Sequence, residues 1–152
     1  MSNVRPLLHR FMLEELFSLS WLKGSIVSSV ELEVEAKSWS LCFGNNSRLY
    51  VPCLWRLIGV RGLLATSEDH GQRFGLPQPF DALSVLAALE GKVVLTVVIR
   101  PATNDLTLEF EGDRTFEVVN SSAGFEGWSA SHPVLGTVFV ASGGELNAAA
   151  GA

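Results

Sequence analysis

Slid along itself by sixty-seven residues, the chain lays one apolar pattern on another without a gap. Leu13, Leu16, Leu19, Leu22 and Gly24 fall on Phe80, Leu83, Leu86, Leu89 and Gly91. Ile26, Val27, Val30 and Leu32 fall on Val93, Val94, Val97 and Ile99. Trp39, Leu41, Phe43, Leu49 and Val51 then fall on Leu106, Leu108, Phe110, Phe116 and Val118. In both stretches the spacing changes from helical to alternating at the same place, which composition alone rarely produces. The expectation is an α+β fold of two pseudo-repeats, each a helix followed by about four mainly antiparallel strands. Repeat 1 covers about residues 7–64 and repeat 2 about 79–142, inside a single domain of residues 1–147. Residues 148–152 read as a disordered tail with nothing to pack.

Within each unit the elements follow from periodicity. Leu8, Met12 and Leu16, with Leu13 and Phe17 beside them, form one face of a helix from Pro6 to about Trp21. A second helix is expected from about Pro79 to Glu90, stopped by Gly91. Val30 to Glu35 alternates strictly, so three aliphatics face one way and three carboxylates the other. The turns after Phe43 and Phe110 read as three-residue loops, Asn45–Ser47 and Gly112–Arg114, with Phe43 opposite Leu49 and Phe110 opposite Phe116. Leu54 to Leu64 reads as one strand broken near Gly59 or Gly62, and Phe125 to Ala130 as another. Ser67 to Pro79 reads as an ordered polar loop. Trp55 and Trp128 recur at matching places, as residues packed with the repeat do.

Composition narrows the partners. A net charge of −5 argues against a surface that follows nucleic-acid phosphates. No run approaches the ~20 apolar residues that span a bilayer, so neither nucleic acid nor membrane is expected as a partner. The charged N-terminal stretch does not read as a signal peptide, and Cys42 and Cys53 are expected to face opposite ways and stay reduced, as in a cytoplasm.

Two clusters stand out as candidate binding residues. Glu31, Glu33 and Glu35 form a row of carboxylates suited to a basic partner, or simply a solvated strand face that deters aggregation. Asp69, His70 and Arg73 gather acid, base and cation in one loop. An Asp–His pair can orient a general base, yet no Ser, Thr or Cys stands in a nucleophile-elbow context. His9, His70 and His132 are too scattered for metal-ligand spacing, and neither cysteine has a Cys-x-x-Cys companion. The expectation is therefore no enzyme, no metal and no cofactor.

The string Trp55-Arg56-Leu57, then Ser67-Glu68-Asp69-His70-Gly71-Gln72-Arg73-Phe74-Gly75 and Pro79-Phe80-Asp81-Ala82, carries a resemblance. With Asp105 to Phe110 and Phe125 to Trp128, the chain resembles a family of small uncharacterised bacterial proteins over about residues 20–147. Some members of that family resemble immunity proteins encoded beside toxins. The resemblance implies a cytoplasmic protein-binding domain, in its most concrete form an immunity protein that occludes a basic toxin. It carries no catalytic residue. The alternative expectation is a small-molecule sensor with a pocket between the repeats.

Overall fold

Alternating apolar side chains sort the chain into two antiparallel sheets whose buried faces merge into one apolar cluster. The computed structural model describes residues 4–150, with side chains described from 10 to 149. In chain order the elements are α1 (Val4–Ser18), β1 (Val27–Glu33), β2 (Ser38–Phe43), β3 (Arg48–Val51), β4 (Leu54–Gly59) and β5 (Gly62–Thr66). They continue with α2 (Ala82–Leu86), β6 (Val94–Ile99), β7 (Leu106–Phe110), β8 (Arg114–Val119), β9 (Ser129–His132), β10 (Gly136–Val140) and β11 (Leu146–Ala150). Short 3₁₀ turns at Ser20–Leu22 and Ala87–Leu89 lead into β1 and β6. The architecture is α+β in character, dominated by strands.

The first sheet has the order β1-β2-β3-β9-β10-β11, and the second β5-β4-β8-β7-β6. Each sheet thus mixes early and late strands. The chain passes between the sheets at Pro52–Cys53, from β3 to β4, and at Asn120–Trp128, from β8 to β9. The sheets also touch at their edges through an Ile26–Val93 bridge, with the Val27 N–H donating to Lys92 O at 3.0 Å and the Gly91 N–H to Val27 O at 2.8 Å. Gly24 (φ 80°) and Gly91 (φ 82°) turn the chain into β1 and β6 in a conformation that only glycine adopts without strain. Bulges between Val27 and Ser29 and between Val94 and Thr96 bend both edge strands at the same step.

Several expectations need correction. Leu41, not Phe43, stands opposite Leu49, and Leu108, not Phe110, opposite Phe116. The three-residue loops are Gly44–Asn46 and Glu111–Asp113, because their last residue must take positive φ. Asn46 (66°) and Asp113 (58°) do so more readily than Ser47 or Arg114. Leu54 to Thr66 is a hairpin of two strands, so five strands rather than about four separate α1 from α2.

The helices are also shorter in their contacts than periodicity suggests. α1 buries Leu16, with Leu19 just beyond it, whereas Met12 is 42% exposed; the Leu8 side chain lies outside the described residues. α2 spans only five residues, because the Asp81 carboxylate caps it through the Ser84 N–H at 3.1 Å and a 3₁₀ turn follows at once. Of the expected tail, residues 151 and 152 lie outside the described residues, while Ala148 and Ala149 belong to β11. They pair with Val138 and Thr137 along the edge of β10, where backbone hydrogen bonds need no side-chain burial. Trp55 and Trp128 are fully buried, and Trp39 meets Trp55 edge-on at 5.0 Å between ring centroids.

Candidate functional site

The acidic row begins as alternation dictates. β1 turns Glu31 and Glu33 outward and Leu32 toward the core. Glu35 departs from the expectation: β1 ends at Glu33, and Glu35 stands in the turn Val34–Lys37, closed by the Lys37 N–H donating to Val34 O at 3.3 Å. Lys37 takes φ 50° there, which ends the alternation. Glu31 is not a free charge either. Arg48 Nη2 donates to its carboxylate at 3.1 Å and to Ser40 Oγ at 2.9 Å across the sheet. Both partners are about half exposed, so the pair contributes only ~0–1 kcal/mol. Glu33 and Glu35 remain exposed and without an ion pair among the described residues.

The polar loop is ordered, as expected, by backbone bonds from the Gly71 N–H to Phe80 O (2.9 Å) and the Phe80 N–H to Gln72 O (2.7 Å). Asp69 and His70 do separate jobs in it. Asp69 Oδ2 accepts from the Thr66 N–H at 2.9 Å, at the end of β5. His70 Nδ1 accepts from the Ala82 N–H at 3.1 Å, at the start of α2, and its ring meets Trp39 edge-on at 5.4 Å. With Nδ1 accepting, the ring hydrogen is assigned to Nε2. The carboxylate nearest His70 Nδ1 is that of Asp81, at 3.9 Å. The two sequence neighbours therefore do not orient each other. Arg73 is exposed on the same loop.

The β1–β2 turn and the polar loop, some thirty residues apart in the chain, border one groove of about 550 Å³, which His70 alone of the six candidate residues lines; Glu31 and Glu33 line a separate cleft with Arg48 and Tyr50. Val34 and Lys37 line it from the β1–β2 turn, and Glu68, His70 and Gln72 from the loop. Trp39 and Cys53 line it as well. A second hollow of about 560 Å³ shares Pro52, Cys53 and Ser121 with the first, so the two meet where the chain passes between the sheets. Its other walls are Tyr50, Phe125 and Phe139, with Glu126 beside them. Phe125 is not in a strand, since β9 begins only at Ser129. Sequence reading did not reach this hollow. Its one signal was a phenylalanine inside the small-residue stretch Ser121 to Gly127.

Cys53 stands where the hollows join. Burial, offset by a backbone hydrogen bond and aided slightly by the negative Asp105, pushes its thiol from 9.0 to about 11. A nucleophilic thiolate is thus disfavoured at neutral pH. At pH 8 Cys53 is expected to alkylate with iodoacetamide roughly 10-fold more slowly than a thiol of ordinary pKa, since a ~100-fold smaller thiolate fraction is partly offset by the greater nucleophilicity of the more basic thiolate. Peptide mapping after timed quenching measures this; alkylation at the ordinary rate would refute it. The same shift makes the fold lose stability as pH rises from 9 toward 11, where the unfolded thiol ionises first.

Among the described residues, no group of three or more His, Cys, Asp or Glu could hold a metal ion, and no helix is long and apolar enough to cross a membrane. Comparison with family models, with curated proteins and with solved structures gave no match.

Proposed function

We propose that the chain is a non-enzymatic domain built from two strand-exchanged copies of one unit, and that it binds another protein along the groove beside its crossings. The duplication is supported by register. A shift of sixty-seven residues carries the β1–β2 pair Val30–Leu41 onto the β6–β7 pair Val97–Leu108, and the β2–β3 pair Leu41–Leu49 onto the β7–β8 pair Leu108–Phe116. It also carries one bulge onto the other. Each copy then lends its later strands to the sheet begun by its sister: β4 pairs with β8, and β9 with β3.

The observation that carries the binding reading is the convergence of two unrelated segments on one groove. The turn bearing Glu35 forms one side, and the loop of Glu68, Asp69, His70 and Arg73 the other. Exposed residues of both flanking segments, Val34 to Lys37 on one and Glu68, Gln72 and Arg73 on the other, offer contacts to a protruding loop of a partner. Glu68 in its lining and Glu35 in its flanking turn give it an acidic bias, with Lys37 and Arg73 as opposing charges. A partner presenting a basic segment is complementary. An immunity protein covering the basic cleft of a toxin is the most concrete form of this reading.

Reversing charge in the pair Glu35→Lys and Glu68→Lys is expected to slow association about 10-fold at low salt and much less at high salt, while dissociation changes little. The experiment is affinity capture with the tagged chain, then surface-plasmon kinetics of the captured partner against wild type and variant. Unchanged association at low salt would remove this interface. A small-molecule reading finds its support in the second hollow alone.

A further inference from the structure

We infer that the hollow framed by Tyr50, Phe125 and Phe139 is a binding site for a small organic cation, an alkylated ammonium or a guanidinium. The floor follows from strand register. Tyr50 on β3 pairs with Ser129 on β9, which pairs with Phe139 on β10, so the three side chains share the outer face of the first sheet. The short serine leaves a slot between two aromatic rings. Neighbouring strands lie ~4.8 Å apart, so a group centred over Ser129 is ~5 Å from each flanking strand. With both rings standing upright from the sheet, that spacing puts a cation within the ~6 Å over which a ring face holds it.

The third ring comes from the crossing between β8 and β9. Phe125 is 80% exposed, an unusual position for so large an apolar side chain, and no core contact accounts for it. It is nevertheless held in place. Ser122 Oγ accepts from the Gly124 and Phe125 N–H groups, each at 3.0 Å, which orders the loop that lines the hollow. Tyr50, Phe125 and Phe139 make no ring–ring contacts among the described residues, so the space between them is not filled by stacking.

Charge decides which ligand fits. Glu126 is the one ionisable carboxylate lining the hollow, and no Lys, Arg or His lines it. Three aromatic rings and a carboxylate, with no cationic side chain among them, disfavour anions. An organic cation uses all of them: its apolar periphery covers the rings, and its charge meets the quadrupoles and Glu126. This site is independent of the protein-binding reading.

Titration of the isotope-labelled full chain, followed by amide NMR shifts, tests it. Tetramethylammonium, choline, N-acetylarginine amide and the neutral isostere 3,3-dimethylbutan-1-ol serve as probes. The cations are expected to give saturable shifts clustered at Ser121, Phe125, Ser129 and Phe139, with the neutral isostere at least ~3-fold weaker. Phe125→Ala and Glu126→Gln each alter an exposed loop side chain, leave the core untouched, and are expected to weaken the cations ~3–10-fold. Tighter binding of choline identifies an alkylammonium site, and tighter binding of the arginine amide a guanidinium site. Shifts elsewhere, equal affinity for the neutral isostere, or variants that bind as wild type would overturn the assignment.

Discussion

Replacing Gly127 by alanine is expected to lower stability by about 3 kcal/mol, or roughly 6–12 °C in Tm for a chain of this size. A Cβ there would stand 2.0 Å from Asn120 Oδ1, 2.9 Å from Asn120 Cγ and 3.0 Å from Val140 Cβ. The Asn120 side chain is not free to retreat. Its Nδ2 donates to Thr103 O at 2.9 Å and Asn104 O at 2.8 Å, while its backbone N–H donates to Asp105 Oδ1 at 2.8 Å. Moving it would break bonds that hold the β6–β7 turn to the crossing. Chemical denaturation of Gly127→Ala, Asn120→Ala and the double variant measures the effect. With the clashing side chain gone, the double variant should be scarcely less stable than Asn120→Ala alone. Additive losses would place the strain elsewhere.

The two buried tryptophans should part company under conservative substitution. Trp55→Ala and Trp128→Ala are each expected to cost about 3–5 kcal/mol, since both side chains are fully buried. The phenylalanine variants differ. Trp128 Nε1 donates to Asn104 O at 2.7 Å, so Trp128→Phe loses a hydrogen bond as well as volume. Trp55 Nε1 is buried without a partner, so Trp55→Phe removes a polar group that already carried its desolvation cost. Trp128→Phe is therefore expected to be the more damaging by about 1–2 kcal/mol. Equal midpoints and slopes in urea would show that the Asn104 bond contributes nothing.

Those tryptophans also mark how far the sequence could be read. The alternation of Trp39, Leu41 and Phe43 and the ordered Ser67 to Pro79 loop were legible because each depends on near neighbours, and the burial of the two tryptophans because large apolar side chains seek the core. The hairpin error was legible in principle. A three-residue loop wants its left-handed residue last, and Asn46 and Asp113 are the residues suited to that place. The end of alternation before Glu35 was not legible, because a turn can cut a run of correct polarity anywhere. Partner choice among strands lay further out of reach. Nothing local tells β3 to pair with β9, so the grooves beside the crossings, assembled from Trp39, Cys53, His70, Tyr50 and Phe139, had no linear signature. Helix spacing misled at Met12, where periodicity ran on past the end of the surface it packs against.

The mixed strand order bears on how the chain is made. During synthesis β1, β2 and β3 emerge first, yet the edge of β3 is closed only by β9, whose Ser129 pairs with Tyr50 across nearly eighty residues of chain. Until that strand arrives, β3 presents open backbone donors and acceptors, a hazard for pairing with the wrong neighbour. Closure over so long a separation is slow for entropic reasons. The second sheet faces a shorter delay, since β4 waits only for β8. The last strands thus complete the first sheet, and a released chain truncated before residue 129 would hold every strand of the second sheet and only half of the first.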